Sequence, residues 1–465
     1  MKFVQKQIVL LLFVLFMAGI QAAFAQNKEE KPKTTRILFL LDASGSMKAK
    51  FENTQRWPVA KSLLSQLVDS LDKYPNLELG LRVYGHQSPN SRNDCRDTKL
   101  EVPFSDQNSE EIQKKLKQLV PQGNTPITYS MEQSANDFPN DPNARNIIII
   151  ITDGLESCGG DPCATSLALQ RKRIFLKPFI IGLGTDPGFE KQFSCMGQYY
   201  NAADIKTFRS VLDNVVTLAL SKTTVSVEIV DDNNKPIESN VNMTFLNNVT
   251  GIPEYNYVHY YSPENKPDIL EIDAVLNYDL VINTLPKVVE QNLRIIPGKH
   301  NVIKVKAPQG VLHLRQDGPT PYGKVEAIVR EDNNRSTLYA QTFGSKQKYL
   351  TGKYDLEILT LPRIYMKDVV VKQGQPTTIT FPPAGILSIS SELQGYGSIY
   401  TIDENGQQQW IYNLPEENSK IALPLQPGRY RLVYRMKTAS SSKFTDVQNF
   451  TIKSGATTSL KIFNR

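Results

Sequence analysis

Two hydrophobic rhythms divide this chain. In the first, short apolar runs alternate with segments whose apolar residues recur every three or four positions. Ile37–Leu41 is one such run; Asn146–Thr152, with five isoleucines in succession, is another. Both read as central strands buried on two faces. Val59, Leu63, Leu64, Leu67 and Leu71 keep helical spacing, and so do Ile205, Phe208, Leu212, Val215 and Ala219. The same reading predicts strands at Leu77–Tyr84, Leu176–Gly184 and Gln198–Ala202, with a short edge strand at Lys99–Phe104. Helices are expected at Glu110–Leu119, from near Pro126 to about Ala135, and at Ala164–Arg171. Repeated strand–helix alternation argues for an α/β doubly wound domain over residues 36–221, its mostly parallel sheet wrapped by helices.

At Lys222 the second rhythm begins: short alternating strands between turns rich in Gly, Pro and Asn. A strand start recurs as Leu276-Asn-Tyr278-Asp-Leu280, Gly352-Lys-Tyr354-Asp-Leu356 and Gly428-Arg-Tyr430-Arg-Leu432, with the tyrosines 76 residues apart both times. Tyr278, Tyr354 and Tyr430 are therefore expected in strand cores or corners. Each unit is expected to close with a hairpin around a glycine: Leu293–Val305 around Gly298, Val369–Phe381 around Gly374, Phe450–Ile462 around Gly455. The repeat implies three all-β, sandwich-like modules, 222–306, 307–382 and 383–465. Pro308 and Pro382-Pro383 at the junctions favour stiff connections, and the modules read as a semi-rigid stalk or as extra binding units.

The amino terminus belongs to neither rhythm. Lys2 and Lys6 precede the apolar run Ile8–Ile20, and Ala23-Phe24-Ala25 supplies small residues before Gln26. This is the pattern of a secretory signal peptide over 1–25. The run is shorter than the roughly 20 residues that span a bilayer. Residues 26–35 (QNKEEKPKTT) read as a polar linker. An exported protein of the periplasm, cell surface or medium is expected, with no transmembrane segment once the leader is removed.

In that compartment Cys95, Cys158, Cys163 and Cys195 are disulfide candidates, with three connectivities open. The net charge of +6 is spread over 465 residues without basic–aromatic clustering, which argues against nucleic acid as a partner.

The chemistry lies at strand ends. Asp42-x-Ser44-x-Ser46 follows the first strand, Thr152-Asp153-Gly154 ends the isoleucine strand, and Gly123-Asn-Thr125-Pro126 precedes a helix. In a doubly wound sheet these loops open at one edge, where such sheets bind ligands. Taken singly, the serines could be helix caps and the T-D-G a turn. Together, Asp42, Ser44, Ser46, Thr125 and Asp153 suit a hard divalent cation, Mg²⁺ first, with Ca²⁺ and Mn²⁺ as alternatives. Neutral hydroxyls and only two carboxylates leave the ion electrophilic, so the expected partner is a protein presenting an Asp or Glu carboxylate.

These three motifs resemble the metal-ion-dependent adhesion site of von Willebrand factor type A domains. The resemblance covers about residues 36–221 and implies a six-stranded, mostly parallel sheet with one antiparallel edge strand. It also implies regulation through the closing helix. Tyr84-Gly85-His86 with Asp94-Cys95, and Glu156-Ser-Cys158-Gly-Gly-Asp-Pro-Cys163, are similar to an exported bacterial branch. That branch is related to the adhesion-type domain of calcium-activated chloride channel regulators. The regulators' protease motif H-E-x-x-H is missing, and His86, His259, His300 and His313 are scattered. By position, Cys95 and Cys158 fall at the metal edge, where a disulfide would brace the site; Cys158–Cys163 is the local alternative. His86 falls near that edge too.

The expected function is metal-dependent protein binding or adhesion, with the β-modules as a stalk and no catalytic residue. The alternatives are a metal-dependent hydrolase or enzyme subunit, for which Glu156 is the nearest carboxylate, and a structural component of envelope assembly.

Overall fold

The computed structural model describes residues 34–462, apart from 142–143, 318–319, 392–393, 417–419 and parts of the stretch 173–219. The expected leader, nearly all of the linker and the apolar face of the closing helix lie outside the described residues. The chain forms two compact units: Met1–Thr223 with Asp273–Leu276 and Ile296–Lys299, and Thr224–Ile272 with Asn277–Ile295 and His300–Arg465.

The first unit is built on β1 (Thr35–Asp42), a small hairpin of β2 (Lys50–Phe51) and β3 (Thr54–Gln55), α1 (Arg56–Leu71), β4 (Leu77–Tyr84) and β5 (Thr98–Ser105). There follow α2 (Ser109–Gln118), α3 (Ile127–Ser134), β6 (Arg145–Thr152), α4 (Pro162–Arg171), β7 (Ile174–Leu176), β8 (Ile180–Gly182) and β9 (Tyr199–Asn201). The sheet order is β5-β4-β1-β6-β8-β9, with β7 also on β6. All pairings are parallel except that of β5 with β4 at the edge. The strand expected at Leu176–Gly184 is instead two short pieces that share one lane beside β6, Asn146↔Ile174 at one end and Thr152↔Gly182 at the other. Six lanes result, as the resemblance implied.

Ile37–Leu41 and Ile147–Ile151 are wholly buried, as strands with helices on both faces must be. Alternation sends Leu38, Leu40, Ile148 and Ile150 to one face, where they pack with Ile127 and Met131 of α3. Each such side chain contributes roughly 1.5–3 kcal/mol by leaving water. From β1 the chain moves outward to β4 and β5, then returns past β1 to β6. The sheet therefore changes direction between β1 and β6, and a crevice at the carboxyl ends of those two strands is where such a topology opens.

The second unit repeats one topology three times. A three-stranded sheet has as its centre the first strand of each repeat: Thr223–Val230, Gln309–Leu314, Gly385–Ser390. A four-stranded antiparallel sheet has as its inner pair Asn242–Asn247 with Tyr278–Ile282, then Glu326–Glu331 with Gly352–Ile358, then Gly395–Ile402 with Gly428–Met436. In the second and third repeats, residues of both sheets share one core, Leu312 with Leu356 and Leu387 with Leu432 among them. The arrangement is sandwich-like, as expected.

The closing hairpins are not formed. The strands on either side of Gly298, Gly374 and Gly455 belong to different sheets, and the last strand of each repeat pairs in parallel with the first. Each glycine, at φ of 66–76°, turns the chain from one sheet to the other. The repeated tyrosines are core residues: Tyr278, Tyr354 and Tyr430 are buried, and the Tyr354 and Tyr430 hydroxyls donate to the carbonyls of Leu350 and Gln426.

Candidate metal centre at the β1–β6 crevice

β1 and β6 run side by side in register, Leu41 opposite Ile151, so the residues just beyond them emerge together. Asp42 is fully buried; its Oδ1 accepts the Ser44 N–H at 2.7 Å and its Oδ2 accepts the Thr152 hydroxyl at 2.6 Å. Ser44 Oγ lies 2.9 Å from Ser46 Oγ, and Ser46 Oγ donates to Asp153 Oδ1 at 2.7 Å. The other oxygen of Asp153 accepts from Arg56 at 2.8 Å. Ser44 precedes a short 3₁₀ turn, but its hydroxyl makes no capping bond there. The side chain points to its neighbours in the cluster, and the cap reading of these serines does not hold.

Thr125 arrives on a loop sewn to the first one. The Gly45 N–H donates to the Gly123 carbonyl, and Gly123 N–H to the Gly85 carbonyl, each at 2.8 Å. The third loop joins in turn: the Thr125 N–H donates to Ser157 Oγ at 2.9 Å. A methyl placed on Gly154 would meet Thr125 Oγ1 at 3.4 Å and Ser46 Oγ at 3.6 Å, so both hydroxyls border one small space. All five expected ligands are thus brought to one crevice.

The donor set fits a hard cation. Adjacent ligands at ~2.1 Å on an octahedral ion stand about 3 Å apart, close to the 2.9 Å between the two serine oxygens. Among the described residues no group of three His, Cys, Asp or Glu forms a metal cluster, so an ion here would depend on hydroxyls.

The electrostatics point the same way. Burial, and next the charge of Asp153, push the Asp42 carboxyl up to about 7, against the pull of the Ser44 and Thr152 hydrogen bonds. Burial and then Asp42 raise the Tyr84 phenol beneath them far above its ordinary range. Arg56 brings one positive charge to the two carboxylates of this crevice, on the Asp153 side, and Asp42 has only neutral donors.

Around the cluster the walls are close-fitted. Gly85 sits at φ +70°, and a Cβ there would lie 2.5 Å from the Asn124 carbonyl and 2.9 Å from Ser44 N. Asp97 takes the N–H groups of Gln87 and Ser88, holding the loop after β4. A Cys95–Cys158 disulfide ties that loop to the one after β6, bracing the edge as expected and displacing the Cys158–Cys163 alternative. Cys163 is disulfide-bonded as well, and Cys195 lies outside the described residues.

The His86 side chain is largely buried, 3.0 Å from Glu101 Oε1 and 3.9 Å from Asp97. Glu156 is not a free base: its two oxygens accept the N–H groups of Thr128 and Cys158, capping the start of α3. Proline at 126 is the cap residue of α3, not its first helical residue, and has no side-chain oxygen to offer, so the cap comes from across the site. Arg56 and Thr152 escaped the sequence reading as participants. Thr152 carried a signal in its motif, whereas Arg56 looked like any charge in a polar segment.

The profile of the von Willebrand factor type A domain matches residues 37–156. The uncharacterized protein YwmD of Bacillus subtilis (strain 168) is 31% identical over 178 residues, 37% of this chain and 79% of the relative. YwmC, also uncharacterized and from the same strain, is 26% identical over 231 residues, 47% of this chain and 100% of the relative. Among solved structures, the pilus adhesin SpaC of Lactobacillus rhamnosus GG aligns with 92% of this chain and 83% of its own, at 10% identity and a TM-score of 0.34. The matched profile spans Asp42, Ser44, Ser46, Thr125 and Asp153, and the chain belongs to the von Willebrand factor type A domain family.

Proposed function

We propose that the first unit is a metal-dependent protein-binding module that grips an acidic residue of a partner. Asp42, Ser44, Ser46, Thr125 and Asp153 would hold a divalent cation, Mg²⁺ first among them. What carries this reading is the convergence of three hydroxyls on two buried carboxylates that lack enough positive charge. A bound ion supplies an electrophilic position that a carboxylate oxygen of the partner can fill. The protein's own part is to hold its hydroxyls in place, through the Asp42 bonds to Ser44 N and Thr152, and to keep the loops in register.

No catalysis is part of the proposal. The one carboxylate nominated as a base, Glu156, is engaged through both oxygens with backbone N–H groups. The proposed organisation is a leader over 1–25, a linker over 26–35, the binding domain over 36–221, and three β-modules, 222–306, 307–382 and 383–465, as a stalk. The disulfide supports an oxidising, exported location. No helix among the described residues is long and apolar enough to cross a membrane. Titrating the full chain with Mg²⁺ and with Mn²⁺ by calorimetry tests the site. Saturable binding that Asp42→Ala removes is expected, and no saturable binding of either ion overturns the proposal. Capture of acidic peptides from an array, lost on adding EDTA, tests the ligand class.

A further inference from the structure

Arg56 is the first residue of α1, a position where the helix dipole disfavours a cation. Its helix start gains no side-chain cap from Gln55. The guanidinium turns instead into the crevice and bonds Asp153 Oδ2 through one terminal nitrogen at 2.8 Å. Asp153's side chain is fully buried, whereas 22% of Arg56's remains exposed. The Arg56 Nε is itself buried and meets no hydrogen-bond acceptor among the described residues. The contact is thus single-pronged, far from the paired bonds that make arginine–carboxylate bridges strong. Elsewhere in the same unit Arg82 makes the paired form, with Nε and a terminal nitrogen on the two oxygens of Asp137 at 2.6 and 2.7 Å.

We propose that Arg56 is a resident cation of the metal centre: it neutralises Asp153 until a divalent ion arrives, and gives that carboxylate up to the ion. This rests on the metal-binding reading. A side chain at a dipole-disfavoured helix start, with one bond and one unpartnered nitrogen, is held by charge and little else. It is also open enough to solvent to swing away. A positive charge fixed beside Asp153 repels a second one, so Arg56 weakens the site for cations and makes entry conditional on releasing the pair. Its place at the head of α1 links that release to the helix.

The test compares the full chain with Arg56→Gln, which removes the charge, and Arg56→Lys, which keeps it. Each is titrated calorimetrically with Mn²⁺ and melted in EDTA and in saturating Mn²⁺. Arg56→Gln is expected to bind Mn²⁺ at least about tenfold more tightly than the wild type, with Arg56→Lys near the wild type. In EDTA the Gln variant melts lower, and saturating Mn²⁺ closes the gap. If wild type and Arg56→Gln bind Mn²⁺ equally, the role of Arg56 falls and the metal-binding reading stands. Binding by Arg56→Gln alone upholds the role of Arg56 and overturns metal-dependent binding by the native chain. If no form binds, both fall.

Discussion

Asp42 in the first unit and Glu357 in the second are both nearly removed from water, yet their neighbours treat them oppositely. Glu357 lies between Arg330 and Arg363, which bond its two oxygens. Burial alone would raise its carboxyl, but the two guanidinium groups win and hold it below the ordinary range. Asp42 has only neutral donors, with a second carboxylate nearby, and is pushed up to about 7. The β-repeat resolves its buried charge internally, whereas the α/β crevice leaves its charge in deficit. Such a deficit costs stability.

The sharpest break of that contrast is Asp42→Ala. It should abolish Mg²⁺ and Mn²⁺ binding, a loss beyond the roughly 10–100-fold that removing an outer-shell partner costs. Glu357→Gln, measured in the same titration, should leave it unchanged. Equal effects of the two would erase the distinction.

Next in size is Gly85→Ala. The added methyl would press on the Asn124 carbonyl and the Ser44 backbone, the seam between two loops of the candidate site, at a φ that alanine disfavours. A loss of about 2–3 kcal/mol in urea unfolding is expected, together with weaker Mn²⁺ binding.

The parts of this molecule that local pattern dictates were legible in the sequence. Ile37–Leu41 and the isoleucine strand have no polar face to mislead, and the strand-end oxygens follow them directly. The three site loops could be brought together because a doubly wound sheet opens all of them at one edge. What local pattern does not dictate stayed hidden. The glycine turn of each repeat looks like a hairpin, but pairing is decided by the first strand, some 70 residues earlier, with which the last strand runs parallel, as Ile386 does with Thr457. Arg56 meets its partner 97 residues away, and nothing beside it in the chain marks it. Glu156 drew attention by nearness to Asp153, while its work on the α3 N-terminus depends on a contact across the loops.

Acid sharpens the comparison from within the first unit. The side chain of Glu101, on edge strand β5, is largely removed from water, which by itself would raise its carboxyl. Bonds from Lys115, His86 and Lys99 outweigh that and hold it at about 2. A depressed folded-state value gives stability that is present above the unfolded value near 4.5 and is lost as pH falls toward 2. Two of its partners are partly exposed, which reduces the effect to about 2 kcal/mol at most. Melting temperatures should drop across that window, and Glu101→Gln should flatten the drop.

The smallest effect is expected from Gly455→Ala, the counterpart of Gly85→Ala in the repeats. Both glycines hold a positive φ, +66° at Gly455 and +70° at Gly85. They differ in surroundings: a Cβ on Gly455 would meet nothing within 4 Å. The substitution therefore carries only the conformational term, about 1 kcal/mol. The excess cost at Gly85 over Gly455, read in the same urea series, measures how tightly the loops of the candidate site are packed together. If the two cost the same, the loops yield to a methyl group, and the seam does not hold the hydroxyls in place.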